Sequence, residues 1–135
     1  MMYLEIVTVG RQKRGPLLEL AQEYQKRLGG LVTLKTTVVK KIKPSAEFTI
    51  LLTEHGKTYN STTFAQQLLQ WTDCGRTHIR FVVAGPHGHD RTIEKQMNAL
   101  LSLSPMTFPH EFAYVILLEQ LYRAITIIKE KIYHY

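Results

Sequence analysis

The sequence predicts an α/β domain: a mainly parallel sheet with helices on both faces. Three observations carry that prediction. Short β-rich or apolar runs alternate with segments of helical spacing along the whole chain. Two of the runs, 48–52 and 79–84, are almost continuously apolar, as strands covered on both sides are. The later runs end in Thr53-Glu54-His55-Gly56, in Gly85-Pro86-His87-Gly88 and at Pro109. In open parallel sheets, ligands bind outside such strand ends. A chain of 135 residues suits one domain with its own core, spanning 1–135.

Taken in order, residues 3–9 are β-rich and end at Gly10, giving a first strand. Arg11, Lys13 and Arg14 follow in a loop, and Pro16 sits where a first helical turn tolerates it. Leu17, Leu18, Ala21, Tyr24 and Leu28 recur at helical spacing, and Gly29-Gly30 stop that helix. Residues 31–39 read as a half-exposed second strand, followed by a basic linker of Lys40, Lys41, Lys43 and Pro44. The third strand, 48–52, ends in the Thr53–Gly56 loop. Ser61 or Thr62 caps a helix through Trp71, with Phe64, Leu68, Leu69 and Trp71 as its stripe and Gly75 as its stop. The fourth strand is 79–84. Asp90 or Thr92 starts a further helix with Ile93, Met97, Leu100 and Leu101 on one side, and 103–108 is a short strand cut off by Pro109. In the final helix Tyr114, Leu118, Leu121, Ile125, Ile128 and Ile132 form one seam. Val115, Ile116, Leu117 and Ile127 lie outside it, so this is either a central core helix or one that a second copy covers. Glu119 and Arg123 stand four apart in the favourable order for an ion pair.

Lys plus Arg number 17 against 11 Asp plus Glu, a net charge of +6 that favours polyanionic partners, nucleic acid first. Cys74 is the one cysteine, which excludes an internal disulfide and a cysteine-based zinc site and fits a reduced, cytoplasmic setting. The N-terminus lacks the basic start and apolar core of a signal peptide, and the apolar run 112–118 is too short to cross a bilayer. No membrane association is expected. His87 and His89 lack a third ligand at any usual spacing, so no metal is expected. His55 and His78 read as surface residues. The glycines of 85–88 either let a ligand approach the backbone or make a tight turn; the pattern is neither a dinucleotide fingerprint nor a P-loop.

The stretches AGPHG, LSLSPMTFPH, EQLYRA and the terminal YH, in this order and spacing, resemble the ribosomal RNA large subunit methyltransferase H family of the SPOUT superfamily. Leu51, Leu52 and Gly56 also fit that family's pattern, and VTVG matches it loosely. The resemblance implies a homodimer with a C-terminal trefoil knot, and S-adenosylmethionine as methyl donor. It implies a pseudouridine of 23S rRNA, in the large subunit or 70S ribosome, as substrate methylated at N3. Carried over, Leu52, Gly85, Pro105, Met106, Thr107, Phe108, Pro109 and His110 line the donor pocket. The resemblance also places the tail beside a donor pocket, that of the other subunit. The sequence departs from the family at Ala84, where glycine is usual, at His87, often acidic, and in the shortened stretch KKIKPSAE.

The imide N–H at N3 must lose its proton to become nucleophilic, and a neutral histidine suits that task. With the resemblance, this assigns His134 as base, Tyr133 as a packing surface for the target ring, and His110 as the rival base. Arg123 either offsets charge on the flanking oxygens, pairs with Glu119, or touches phosphate. Arg11, Lys13, Arg14, Lys40, Lys41 and Lys43 supply non-specific attraction to rRNA.

Overall fold

Alternation along each strand decides how this chain layers. A computed structural model describes residues 2–73, 76–131 and 133. Cys74, the helix stop Gly75, the seam residue Ile132 and the tail histidine His134 lie outside the described residues. The described residues form strands β1 (Tyr3–Val9), β2 (Thr33–Val39), β3 (Phe48–Thr58), β4 (His78–Val83) and β5 (Ala99–Ser102). These make one sheet in the order β2-β1-β4-β3-β5, with every pair parallel. The α-helices are α1 (Pro16–Gly29), α2 (Ser61–Asp73) and α3 (His110–Ile128), and a 3₁₀ helix covers Arg91–Gln96.

Leu4, Ile6, Ile50, Ile79 and Phe81 point to one side and are fully buried under Ala21 and Leu28 of α1, Phe64 and Leu68 of α2, and the seam of α3. Val7, Leu51 and Val82 point to the other side. There, among the described residues, the hydrophobic side chains packed against them are Ile42 of the linker, Ile93 of the 3₁₀ helix, Met97, Val39 and Leu100. Helical segments thus occupy both faces, but unequally: all three α-helices share one layer.

α3 packs against both α1 and α2. Leu117, Leu118 and Leu121 are fully buried, so it is a central core helix in the single chain. Its outer side still carries Phe112, 49% exposed.

Four local expectations need correction. Residues 53–56 are not a terminal loop: Leu52 and Lys57 both pair with Leu101, so the four residues between them bulge from a strand that continues to Thr58. Gly56 makes this possible, because a Cβ there would meet the Leu100 and Leu101 backbone at 2.6 Å. The helix expected after Asp90 is only a 3₁₀ turn. Asp90 caps it by accepting from the Thr92 N–H at 3.0 Å, but Asn98 then draws the chain into the sheet. Its N–H donates to the Thr49 carbonyl at 2.9 Å and its Oδ1 accepts the Thr49 N–H at 2.8 Å. Leu100 and Leu101 are therefore strand residues, and 103–108, expected as a strand, is loop. Finally, α2 is capped by Asn60 and not by Ser61 or Thr62. Asn60 Oδ1 accepts the Thr63 N–H at 2.8 Å, and Thr63 Oγ1 accepts the Asn60 N–H at 3.0 Å, a reciprocal capping box.

Candidate functional site

Because every strand is parallel, the bulge of β3 and the segments after β4 and β5 emerge at one edge of the sheet. They enclose a cavity of about 210 Å³. Leu52, Val83, Leu103, Phe108 and Ala113 give it apolar walls, and Thr53, Glu54, Ser104, Thr107, His89 and His110 give it polar ones. Of the residues expected to line a donor pocket, Leu52, Gly85, Met106, Thr107, Phe108 and His110 do line this cavity, whereas Pro105 and Pro109 do not. Pro109 instead precedes the first turn of α3 with φ −53° and ψ 142°, which sets His110 at the helix start facing the cavity.

The turn after β4 is tight. The Gly88 N–H donates to the Gly85 carbonyl at 3.0 Å, and Gly88 has φ +71°, where a side chain would be strained. A Cβ at Gly85 would lie 3.1 Å from the Val9 carbonyl oxygen. The missing side chain at Gly85 therefore serves the approach of β1, and what Gly85 offers the cavity is backbone.

His89 and Glu94 form a pair that their spacing does not announce. The ring Nε2 of His89 lies 2.8 Å from Glu94 Oε2, with both side chains 11% exposed. The hydrogen bond from His89 holds the Glu94 carboxyl below its usual range, Arg91 and His55 adding to it against desolvation. The signal was present as His-x₄-Glu, but the expected α-helix hid it.

His78 is likewise not a plain surface residue. Nε2 lies 3.0 Å from Glu5 Oε1, Nδ1 lies 3.4 Å from Glu47, and the ring packs tilted against Tyr3 with centroids 4.4 Å apart. Burial pushes the Glu5 carboxyl up, but the Thr37 and His78 hydrogen bonds and the Arg80 and Lys35 charges outweigh it and hold it below the usual range.

A second cluster lies near the far end of α3. Arg123 forks onto Glu119 at 2.8 and 3.3 Å, and its Cζ sits 4.9 Å from the centre of the Tyr133 ring. Tyr133 packs edge-on against Tyr122 at 4.7 Å, and its hydroxyl is 3.4 Å from that of Tyr24. Burial, then the Tyr24 hydrogen bond and the Glu119 charge, push the Tyr133 phenol up to about 12. The hydrogen bond to Glu119 raises the Arg123 guanidinium further still. The expected partners Arg123 and Tyr133 thus meet each other. They do not line the cavity of their own chain, from which α3 carries Arg123 about 20 Å away at about 1.5 Å per residue from His110.

Among the described residues no group of three His, Cys, Asp or Glu could hold a metal ion, and no helix is long and apolar enough to cross a membrane. A solved structure of a probable methylase family protein from Haemophilus influenzae Rd KW20 shares the fold, with a TM-score of 0.65 at 12% identity over 98% of this chain and 70% of that one. The chain is 38% identical to a "Ribosomal RNA large subunit methyltransferase H" of Synechococcus sp. (strain RCC307), over 97% of this chain and 93% of that protein. It is 35% identical to a protein of the same name from Pseudothermotoga lettingae, over 99% of this chain and 100% of that one. The family model described as "Predicted SPOUT methyltransferase" matches residues 2–134, and the chain belongs to that family.

Proposed function

We propose that this protein transfers the methyl group of S-adenosylmethionine to N3 of a pseudouridine in 23S rRNA. It does so in the cytoplasm, on the large subunit or 70S ribosome, as a homodimer with the trefoil knot implied for its C-terminal half. The observation that carries the proposal is the cavity at the C-terminal strand edge, walled by six of the residues expected to hold a donor. The names of the relatives at 35–38% identity supply the substrate class.

The cavity chemistry suits the donor. Apolar walls at Leu52, Leu103 and Phe108 take a flat purine, and backbone groups of residues 84–85 and 103–108 can read its edge. The Glu54 carboxylate favours the donor's positive sulfonium and ammonium. When bound, the donor supplies an electrophilic methyl group. The cavity of one chain is smaller than the roughly 300–1,000 Å³ usual for a ligand site. Arg123, far along α3, and Tyr133, which packs on it beyond the helix end, do not finish it from within. A second copy, bringing its own Arg123, Tyr133 and tail, resolves both facts. In that arrangement Tyr133 packs on the target base, Arg123 offsets charge on its oxygens, and His134 positions or deprotonates the imide.

The test is mass spectrometry of 23S rRNA from cells with and without this gene, paired with methylation of purified 70S ribosomes by the protein. A methylated pseudouridine that vanishes with the gene and returns on treatment is expected. Identical rRNA from both strains, with no transfer in vitro, would overturn the proposal.

A further inference from the structure

We infer that the sheet edge beside the cavity carries a phosphate-binding track for single-stranded RNA, built from the segments that follow β1 and β2. The inference rests on reading the chain as an RNA methyltransferase and goes further by saying where the RNA strand lies.

Topology supplies the first argument. In an all-parallel sheet the ends of β1 and β2 emerge at the edge where the cavity opens. Contacts make the neighbourhood continuous. The Gly85 backbone at the cavity wall lies against Val9, and the Gly10 N–H donates to the Val39 carbonyl at 2.9 Å. Arg11, Lys13 and Arg14 leave the first of these strand ends, and Lys40, Lys41 and Lys43 leave the second. With strands about 4.8 Å apart, β2 lies about 10 Å from β4. A stacked single strand presents about three phosphates over that length.

Charge supplies the second argument. All six side chains are exposed, and none forms an ion pair among the described residues. Residues 10–16 and 39–46 contain no Asp or Glu. Four arginines elsewhere are engaged instead: Arg27 with Glu23, Arg80 with Glu5, Arg91 with Glu94 and Arg123 with Glu119. Lys40, Lys41 and Lys43 share a cleft with Glu5 and Glu47, but the cations outnumber these carboxylates, and such an excess repels itself and is relieved by a polyanion. The cavity side of the same edge carries Glu54 and Asp90 instead, so the potential falls off where a cationic donor would sit. A strand laid on the track therefore has its phosphates beside the cavity rather than in it, leaving a base free to enter.

The experiment measures binding of a single-stranded oligouridylate of about ten nucleotides by fluorescence anisotropy over a range of salt. Donor affinity is measured in parallel by calorimetry. The Arg11→Glu/Arg14→Glu/Lys41→Glu variant is expected to bind the oligonucleotide on the order of 100-fold more weakly at low salt. Its slope of log K against log salt should be shallower by about 2. Donor affinity should stay within about twofold. Lys41→Glu alone should lose about 0.7 of slope and Lys26→Glu, far from this edge, none. Equal losses in the Lys41 and Lys26 variants would show that binding follows net charge, and would overturn the track. So would polyglutamate binding as tightly as the oligonucleotide. Track variants that bind and methylate like the wild type would overturn the track and leave the enzyme reading standing. A wild-type protein that neither binds RNA nor methylates ribosomes would remove both.

Discussion

At the scale of residues, two glycines that look alike in the sequence have different tasks. Gly56 lies where β3 rejoins β5, and a Cβ there would meet backbone atoms at 2.6 Å. Backbone yields little, so Gly56→Ala should cost about 1–3 kcal/mol, read as a lowered midpoint in urea unfolding. Gly85→Ala meets a single carbonyl oxygen at 3.1 Å and should cost less. A folded Gly85→Ala protein should bind the donor almost normally, since the added methyl points at Val9 and not into the cavity; a large loss of affinity by calorimetry would refute that orientation. Tyr133 offers a separate test. Its folded-state phenol is raised to about 12 from the ordinary 10, so folding favours the neutral form. The stability it contributes is complete below pH 10 and is lost as pH climbs towards 12. Ultraviolet titration of the folded protein should show a late-ionising tyrosine that is absent from Tyr133→Phe.

At the scale of elements, stability and legibility meet at the start of α2. The reciprocal bonds of Asn60 and Thr63 satisfy N–H groups that the helix cannot. Asn60→Ala should therefore cost about 1 kcal/mol in equilibrium unfolding, whereas Ser61→Ala should cost less, since Ser61 Oγ bonds to Gln120 across a partly exposed contact. The sequence placed that cap one or two residues late because Asn, Ser, Thr and Thr in succession can all cap. β1, α1 and β4 were legible to within a residue or two at each end, since β-rich composition, Pro16 and the Gly29-Gly30 stop are local signals. The span 90–108 was not. Its apolar residues fit a helical period as well as a strand. The choice is made by Asn98, whose two bonds to Thr49 join residues far apart in sequence. The bulge of β3 was hidden for the same reason: Gly56 reads as a loop residue until Leu100 and Leu101 are known to lie against it. The cavity was legible because its loops carry Gly and Pro punctuation. The His89–Glu94 pair on its wall was not, because a 3₁₀ turn brings positions five apart together where an α-helix was expected.

At the scale of the whole molecule, one helix separates the cavity from the Arg123 cluster. α3 begins at the cavity with His110 and carries Arg123 about 20 Å beyond it, to where Tyr133 packs on Tyr122. If a two-fold pair joins the cavity of one chain to the Arg123 cluster of the other, each chain supplies half of each site. Arg123→Ala should then abolish turnover with donor affinity nearly intact, because the proposed function puts the donor contacts in the cavity. Thr107→Trp should fill the cavity and abolish donor binding while leaving the Arg123 cluster whole. Mixed and allowed to exchange subunits, the two inactive proteins should recover about a quarter of wild-type activity. Half of the dimers would then be mixed, each holding one intact site and one doubly damaged site. If both half-sites served within one chain, mixing would recover nothing. Single-turnover methylation of 70S ribosomes by the mixture separates the two arrangements. Light scattering at micromolar concentration adds an independent reading, since a monomer there would exclude the shared site at working concentrations.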